Sequence, residues 1–392
     1  MPEVYFLSAV RTPIGRYGGG LASVPPCDLA AQVVRESVSR AGTDPADVGH
    51  VVFGNVIHTE KRDMYLSRVA ALNGGLLYGT PALTLNRLCG SGLQAIVSAA
   101  QAIMLGDCEV AVAGGAESMS RAPYWLPAMR WGQRMNDGEA IDPMVGALTD
   151  PFDACHMGVT AENVATDFHV SRADQDALAA ESHRRAGAAA AAGYFKEQIV
   201  PVEIAGRKGT TVVENDEHIR PDVSVADMAR LRPAFAEDGT VTAGNASGIN
   251  DAAAAVVLAS ESYVRSSGLT PMGRLVGYAH AGVEPRIMGM GPVPATRKVL
   301  DRTGVKLEDI DVFEVNEAFA AQALAVAREL DLPLERTNPN GSGVSLGHPV
   351  GATGAILAVK SLYELARTGS RYALATMCIG GGQGIAAIIE RT

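Results

Sequence analysis

A pattern that occurs twice in the 392-residue sequence limits its fold more than any other feature. In the first copy, a strand-like run at 83–88 meets Cys89-Gly90-Ser91-Gly92, and a helix pattern with apolar residues every three or four positions follows at 93–104. A second strand-like run at 110–112 and the glycines of Gly114-Gly115-Ala116-Glu117 complete the copy. The order is therefore strand, glycine turn, helix, strand and glycine turn.

The second copy lies near the carboxyl end. A turn that begins at His348 opens a helix pattern through Leu365, and Gly369 stands just past its end, as a helix stop often does. A strand-like run at 372–379 and Gly380-Gly381-Gly382 follow in the same order. We therefore predict an internal duplication that brings the two glycine turns together about a pseudo-twofold axis.

Strand-like runs alternate with helix patterns at both ends of the chain, and the middle differs. Residues 1–119 and 269–392 show the alternation, which predicts an α/β fold with a largely parallel sheet. Residues 120–249 are richer in charge and methionine, and a returning strand is expected near 250–268. Because the chain is too long for one ordinary core, we predict two or three domains packed as one body.

Composition argues against several classes of function. With 47% hydrophobic and 19% charged residues, the chain is expected to be globular, and its net charge of −10 argues against nucleic-acid binding. We expect no membrane span and a cytoplasmic location, because no long apolar run lacks charge or punctuation and no leader or peroxisomal signal is evident. The five cysteines lack metal-ligand spacing, which predicts free thiols in a reducing compartment and no metal site.

One short stretch of this acidic chain is basic. It contains Arg207, Lys208, Arg220, Arg230 and Arg232. Such a cluster could bind an anionic ligand, although it could equally be a solvated charged surface.

The first cysteine of the repeat is a candidate nucleophile. Cys89 stands where a strand turns into a helix, so its thiol is expected to face the positive end of the helix dipole, which lowers a thiol pKa. The flanking glycines allow a sharp turn and a close approach of substrate. The alternative is a buried structural cysteine, which is the common fate of a single cysteine.

Three further residues could complete a catalytic site. Cys378 closes a strand before Gly380-Gly381-Gly382, a run that could be a simple turn or could present backbone N–H groups to a developing oxyanion. His348 opens a helix between glycines, where it could transfer a proton or be structural. Asn316 stands between a strand-like run and a helix pattern, where a role as helix N-cap would suffice.

A competing motif must be considered. Gly343-Val344-Ser345-Leu346-Gly347 matches the G-x-S-x-G pattern of serine hydrolases, which requires a strand before the serine and a helix directly after it. The preceding Asn338-Pro339-Asn340-Gly341 cannot be a central strand, and Pro349 interrupts the continuation. A serine hydrolase is therefore a remote alternative.

These motifs together resemble the thiolase family, and the likeness covers essentially the whole chain. Four motifs stand in the family's order: Asn86-Arg87-Leu88-Cys89-Gly90-Ser91-Gly92, Asn316-Glu317-Ala318-Phe319, Gly347-His348-Pro349-Val350-Gly351-Ala352-Thr353-Gly354 and Cys378-Ile379-Gly380-Gly381-Gly382-Gln383-Gly384. Shorter matches add support: Arg11-Thr12-Pro13-Ile14-Gly15, Gly114–Ser120 and His156-Met157-Gly158. Each motif alone is weak, but four in this order are specific.

The resemblance implies an α/β fold with a five-layered αβαβα core made of two duplicated halves, and a loop domain over the active site. It implies that Cys89 carries the acyl group and that Cys378 moves the α-proton as acid and base. His348 would activate Cys89 and, with a water held by Asn316, form one oxyanion site. The backbone N–H groups of Cys89 and Gly380 would form the other.

The resemblance also implies that coenzyme A and acyl-CoA are substrates and that no cofactor is permanently bound. The middle region would hold coenzyme A, and a phenylalanine of the C-terminal half would close its channel. The residues implied are Arg220 beside the nucleotide, Ser247, Phe235, His156, Met157 and Leu148 along the pantetheine, and Phe319 at the channel.

The implied reaction is reversible Claisen condensation and thiolysis between acetyl-CoA and an acyl-CoA. The segments 52–57 and 62–65 are most similar to those of bacterial β-ketothiolases of broad chain length, so acetoacetyl-CoA and 3-ketovaleryl-CoA are both expected as substrates. Thiolases for 3-oxoadipyl-CoA or for fatty-acid degradation remain alternatives, as does a non-enzymatic acyl-CoA-binding protein. The likeness further implies a homodimer or a homotetramer built as a dimer of dimers, without nucleic-acid or membrane partners.

Overall fold

A computed structural model describes residues 2–207 and 209–392. The strands of this part of the chain are β1 Val4–Arg11, β2 Gly15–Arg16, β3 Val48–Gly54, β4 Ala82–Leu85, β5 Val110–Ser118, β6 Val202–Gly206, β7 Gly209–Val213, β8 Asn250–Ser260, β9 Gly273–Gly282, β10 Val312–Val315, β11 Tyr372–Ile379 and β12 Gln383–Arg391. Its helices are α1 Pro26–Ala41, α2 Leu66–Asn73, α3 Ser91–Leu105, α4 Pro143–Ala147, α5 Met157–Asp167, α6 Arg172–Ala191, α7 Val225–Ala229, α8 Glu261–Ser267, α9 Pro292–Thr303, α10 Ala320–Glu329, α11 Gly343–Leu346 and α12 Val350–Thr368.

A single mixed sheet runs through both halves of the molecule. Its strand order is β4-β3-β5-β8-β1-β9-β12-β11-β10, and β2 pairs with β8. The expectation of a largely parallel sheet is wrong, since only the pairs β3–β4, β3–β5 and β10–β11 are parallel. For β11 and β12 the antiparallel pairing has a local cause. Gly380-Gly381-Gly382 joins the two strands as a hairpin, and the strands of a hairpin are necessarily antiparallel.

The two halves of the sheet repeat one another outward from the β1–β9 junction. The N-terminal half has the order β1, β8, β5, β3, and the C-terminal half has β9, β12, β11, β10. In both halves the first two pairings are antiparallel and the third is parallel. Beyond β10, a parallel bridge between Phe313 and Thr337 stands where β4 stands in the other half. This order confirms the predicted internal duplication.

Three layers of helices alternate with the two halves of the sheet, which gives five layers in total. α1 and α2 pack on the outer face of the N-terminal half, and α9 and α10 pack on the outer face of the C-terminal half. α3 and α12 lie against each other in the centre, in contact with strands of both halves. The predicted αβαβα core is therefore confirmed. The middle region contributes α4 to α7 and the β6–β7 hairpin, and β8 then returns between β1 and β5.

The central helix α3 is notably apolar. Its 18-residue window Leu88–Leu105 has a mean hydropathy of 1.5, and by length and composition it could cross a membrane. In the structure this helix packs between the two halves of the sheet and against α12. Its position in the core accounts for its apolar sequence.

Glycines let the two central helices approach closely. A Cβ atom added to Gly92 of α3 would lie 2.6 Å from the backbone nitrogen of Ala355, and one added to Gly354 of α12 would collide with the backbone nitrogen of Leu93. The two contacts are reciprocal, as a pseudo-twofold axis between the helices requires. The helix N-termini, which follow Cys89 and His348, are thereby held side by side.

Two local predictions in the first repeat were wrong. Gly114-Gly115 is not a turn but lies within β5, and a Cβ atom on Gly115 would collide with the carbonyl oxygen of Gly351 at the start of α12. The strand before Cys89 ends at Leu85, and Leu88 in the following loop has a φ of 46°, which is uncommon for a residue other than glycine. The chain therefore makes a tight, left-handed step directly before Cys89.

The helix contact generates a test of stability. Gly354→Ala should lower the free energy of unfolding by about 1–3 kcal/mol, because the added methyl group meets backbone atoms that cannot rotate away. Gly146→Ala in α4 is the matched control, since nothing lies within 4 Å of its added Cβ. Urea unfolding followed by circular dichroism measures both. Equal stability of the two variants would show that the close helix contact is not needed.

Candidate active site

A cavity of about 240 Å³ opens where the two repeats meet. Three of the residues predicted to be catalytic line it: Cys89, His348 and Gly380. Six of the seven residues predicted to contact coenzyme A line it as well: Leu148, His156, Met157, Phe235, Ser247 and Phe319. Asn316, Cys378 and Arg220 do not line it. The fold thus brings most of the predicted site into one cavity from segments far apart in sequence.

Cys89 lies on the cavity wall, one residue before Gly90, the N-cap of α3. Burial raises the pKa of its thiol to about 11, although the backbone N–H groups of Gly380 and of Cys89 itself donate to the sulfur and act in the opposite direction. The expectation of a lowered pKa was therefore wrong, because desolvation outweighs the helix dipole here. A thiol that stays protonated at neutral pH needs a base to become a nucleophile. The same two N–H groups could donate hydrogen bonds to the oxygen of a thioester formed at Cys89.

His348 is held in one orientation by hydrogen bonds. Its backbone N–H donates to Oδ1 of Asn250 over 2.9 Å, and its Nδ1 lies 2.6 Å from Oγ1 of Thr353. Because the Thr353 hydroxyl donates to the carbonyl oxygen of Pro349 over 3.0 Å, it can only accept from Nδ1–H. The neutral ring therefore carries its proton on Nδ1 and leaves Nε2 free to accept one.

The electrostatic environment of His348 favours this neutral form. Burial lowers its pKa to about 4, so the imidazole is uncharged at neutral pH. A neutral imidazole with an unprotonated Nε2 on the wall of the cavity can act as the general base that the Cys89 thiol requires.

Asn316 lies behind His348. Its role as a helix N-cap is contradicted, because β10 ends at Val315, the next helix begins only at Ala320, and Phe319 is the N-cap. Its Nδ2 is 3.4 Å from Nε2 of His348. Since Nε2 is the unprotonated nitrogen, the amide must present its NH₂ group to it. The structure thus places Asn316 next to His348, as the proposed oxyanion site requires.

Cys378 is the second-to-last residue of β11 and does not line the cavity. Its side chain is fully buried and packs with Met157, Met288 and Phe319. Burial raises the pKa of the Cys378 thiol far above its ordinary value, and negative charge on Cys89 raises it further, which reflects the closeness of the two sulfurs. Cys378 is therefore a protonated thiol at rest, suited to donate a proton.

The binding wall is aromatic. The rings of His156 and Phe235 are stacked with centroids 4.8 Å apart, and Phe235 meets Phe319 edge to face at 6.2 Å. His156 is also the N-cap of α5, where its Nδ1 accepts from the N–H of Gly158. The N–H of Ser247 donates to the carbonyl oxygen of Ala318, which joins the middle region to the C-terminal half. This apolar channel suits an uncharged, extended chain more than a charged group.

The basic cluster lies outside the cavity. Arg220 is exposed, and its backbone N–H donates to Nδ1 of His183 over 3.1 Å. The neighbouring His218 packs against Gly248 of the cavity wall, so this loop borders the site. The remaining arginines, Arg207, Arg230 and Arg232, are exposed, whereas Lys208 lies outside the described residues. An anion-binding role of this cluster stays a prediction.

The sequence did not identify Glu117 as a functional residue, although its side chain holds segments next to the active site in place. Its buried carboxylate accepts hydrogen bonds from the backbone of Val56, Ile57 and Gly351 and from the side chain of Asn55. Burial raises the pKa of this carboxyl to about 8. Glu117 therefore ties the loop after β3 to the start of α12, three residues after His348. The signal that could have found it is an acidic residue in an otherwise apolar strand.

The serine hydrolase alternative is contradicted. Ser345 lies in the short helix α11, follows a turn and not a strand, and is fully buried. Its hydroxyl bonds to Oγ of Ser182 and to the carbonyl oxygen of Ser342. Among the described residues, no cluster of three or more histidine, cysteine or acidic side chains has the arrangement of a metal site.

The roles of Cys89 and His348 generate a test by alkylation. In His348→Ala, the rate of Cys89 alkylation by iodoacetamide should rise by about tenfold per pH unit from pH 7 to 10, because only the thiolate reacts and no base remains. The wild-type rate should be higher at pH 7 and change less with pH. Peptide mass spectrometry identifies the modified cysteine, and His280→Ala is the control, since His280 is a half-buried histidine bonded to Gln94 outside the cavity. Identical profiles for wild type and His348→Ala would exclude His348 as the base.

Sequence comparisons agree on one family. The profile of the thiolase N-terminal domain matches residues 4–262, and that of the thiolase C-terminal domain matches residues 269–391. The chain is 63% identical over 390 residues to the β-ketothiolase BktB of Cupriavidus necator, with 99% of each chain covered. It is 49% identical over 391 residues to an acetyl-CoA acetyltransferase of Chromobacterium violaceum, with 99% of this chain and 100% of that protein covered.

The structure is equally similar to known thiolases. Human mitochondrial 3-ketoacyl-CoA thiolase, solved in complex with CoA, superposes with a TM-score of 0.97 at 43% sequence identity. The superposition covers 100% of this chain and 98% of that one. The chain therefore belongs to the thiolase family of acyltransferases.

Proposed function

We propose that this protein is a β-ketothiolase that interconverts a 3-ketoacyl-CoA plus CoA with acetyl-CoA plus an acyl-CoA, through an acyl-Cys89 intermediate. The observation that carries the proposal is the meeting of three groups at one cavity: the Cys89 thiol, the neutral His348 and the paired N–H groups of Cys89 and Gly380. The 63% identity to a β-ketothiolase over nearly the whole chain supports it.

In the direction of thiolysis, the first step breaks the carbon–carbon bond. Sγ of Cys89 attacks the 3-keto carbon while Nε2 of His348 takes its proton, and the N–H groups of Cys89 and Gly380 receive the negative charge on the oxygen. The tetrahedral intermediate collapses to acyl-Cys89 and the enolate of acetyl-CoA. The thiol of Cys378 then protonates the enolate carbon, and Asn316 and His348 hold the enolate oxygen through a water.

The second step transfers the acyl group to coenzyme A. The thiolate left on Cys378 takes the proton of the incoming CoA thiol, which attacks the acyl-Cys89 carbonyl. The Cys89 sulfur leaves and recovers its proton from His348. Cys89 thus recovers its own proton through His348, whereas Cys378 gives its proton to acetyl-CoA and receives the proton of the CoA thiol, and condensation is the same sequence in reverse.

The separate roles of the two cysteines can be tested with acetyl-CoA. Wild type and Cys378→Ala should both add one acetyl group to the peptide containing Cys89, whereas Cys378→Ala should lose thiolysis turnover by about 10²–10⁴-fold, the usual range for a lost acid–base group. Exchange of the acetyl methyl protons with deuterated water should be lost with it. Cys108→Ala is the control. Acetyl transfer to Cys378, or exchange at the wild-type rate in Cys378→Ala, would contradict these roles.

We further propose a broad range of short acyl chains. Met157 and Met288 line the cavity with Leu88, Leu148 and Met119, and a methionine can repack around a longer chain. The 63% identity to a protein named as a β-ketothiolase supports assignment to the β-ketothiolases. Acetoacetyl-CoA and 3-ketovaleryl-CoA are therefore the proposed substrates.

Chain length can be tested with a substrate panel. The kcat/KM values for acetoacetyl-CoA and 3-ketovaleryl-CoA should agree within about 10-fold, because one more buried methylene contributes only about 0.8 kcal/mol. A preference above about 100-fold for acetoacetyl-CoA would exceed what one methylene yields in a tolerant pocket. A preference for 3-oxoadipyl-CoA or for long-chain 3-ketoacyl-CoA would support one of the alternative thiolases instead.

The middle region is proposed to hold coenzyme A as a substrate, with no permanently bound cofactor. The aromatic wall of His156, Phe235 and Phe319 would contact the pantetheine, together with Leu148, Met157 and Ser247. Arg220, on the loop beside the cavity, would contact the nucleotide end. Support comes from the position of these residues and from the CoA complex of the human relative.

Assembly and location are proposed as well. A homotetramer built as a dimer of dimers, or a homodimer, would cover two apolar surfaces. One lies at the edge strand β4 with exposed Leu77, Tyr78 and Leu83, and the other contains exposed Trp125 and Trp131. Light scattering measures the mass of the assembly directly. A cytoplasmic location is proposed from the sequence alone.

A further inference from the structure

A buried ion pair lies behind the catalytic histidine and takes no direct part in the proposed reaction. Nζ of Lys360 is 2.6 Å from Oε2 of Glu314, and the two side chains are 2% and 0% exposed. Nζ also donates to the carbonyl oxygen of Gly341. A lysine ammonium has three donors, so one N–H of Lys360 remains for another partner.

Two acceptor atoms near this pair lack a partner among the described residues. They are Oε1 of Glu314 and Oδ1 of Asn316, and both residues are fully buried. Glu314 and Asn316 are two positions apart along β10 and its extension, so their side chains leave the same face of the strand. A buried carbonyl-type oxygen without a partner is costly, which indicates that something else satisfies it.

A small cavity lies between Lys360 and Asn316. It has a volume of about 10 Å³ and is lined by Asn316, Lys360, Thr353 and Ser342 together with apolar residues. This volume is about the smallest that can hold a single water molecule, and polar atoms are present on its walls. Thr353 and Lys360 are seven residues apart on α12, which places them on one face of the helix with the cavity between them.

We propose that one ordered water fills this cavity and bridges Nζ of Lys360 to Oδ1 of Asn316. The inference rests on the proposed function, since it assigns Lys360 a part in that reaction. Through the water, the ammonium draws electron density from the amide oxygen of Asn316 and strengthens its NH₂ group as a donor toward the second water, which holds the enolate oxygen. Lys360 is thus a positioning residue that acts through Asn316 and never touches substrate.

The proposal predicts which step depends on Lys360. Formation of acyl-Cys89 uses His348 as the base for the Cys89 thiol and the N–H groups of Cys89 and Gly380 as the oxyanion site, and Asn316 takes no part in it. Formation of the enolate uses Asn316 and His348. Loss of Lys360 should therefore slow exchange of the α-protons and condensation while leaving acylation of Cys89 nearly unchanged.

The first experiment needs no variant. A crystal structure of the wild-type protein at about 1.5 Å resolution should show one water within about 3.2 Å of both Nζ of Lys360 and Oδ1 of Asn316. A direct contact between the two side chains, or a cavity without density, would overturn the proposal. This result does not depend on whether the protein is a thiolase, so failure of the proposed function would be recognised separately, by absence of wild-type thiolysis.

The second experiment removes the positive charge of Lys360 together with the negative charge of Glu314, so that neither residue is left as an unpaired buried charge. In the double variant Lys360→Met with Glu314→Gln, methyl-proton exchange of acetyl-CoA should fall by about 10-fold, which corresponds to about 1.4 kcal/mol. Acetylation of Cys89 and KM should change by less than about 2-fold, a split that a general loss of packing would not produce. Thermal unfolding establishes first that the variant is folded.

A matched control lies one turn further along α12. Glu364 is buried and accepts a hydrogen bond from Asn340, but it does not line the small cavity. Glu364→Gln should keep the wild-type ratio of exchange to acetylation. An equal loss of both reactions in the double variant, or no loss of exchange, would overturn the role assigned to Lys360.

Discussion

The contact between α3 and α12 determines the position of everything else in this structure. Gly92 and Gly354 let the two helices meet at backbone distance, and no larger residue could stand at either position without moving one helix. Because each helix begins directly after its catalytic turn, this contact fixes the distance between Cys89 and His348. The active site is therefore a consequence of helix packing at the pseudo-twofold axis. The two turns are equivalent by duplication but carry different side chains.

Burial then sets the chemistry of these side chains. At the bottom of an apolar cavity the uncharged forms are favoured, which raises the pKa values of both thiols and lowers that of the imidazole. The resting site is thus a set of neutral groups. Thr353 accepts a hydrogen bond from Nδ1–H of His348, so the proton of the neutral ring is on Nδ1 and Nε2 is unprotonated. Charge arises only during reaction, where N–H donors are already in place to receive it.

The sequence was sufficient for much of this arrangement. Motifs and glycine turns located Cys89, His348 and Cys378, and the repeat predicted the duplicated core, because both depend on local pattern. The pKa of Cys89 was mispredicted, since burial by distant segments opposes the helix dipole. Long-range partners could not be read from spacing at all: Glu117 reaches α12 from β5, and the ion pair of Glu314 with Lys360 joins two elements of the second half.

The junction of the two half-sheets has a consequence for how the chain is built. Among the strands described, β1 is synthesised first, but its neighbours in the sheet are β8 and β9, whose residues are made only from position 250 onward. Such nonlocal pairing slows folding, because the ends of a long loop must meet before any contact is gained. The apolar strand β1 therefore has no partner strand through most of translation, and during this time it is either exposed to solvent or bound by a chaperone. Synthesis of β8 is the event that completes the N-terminal core, and a chain truncated before it would present an open sheet edge prone to aggregation.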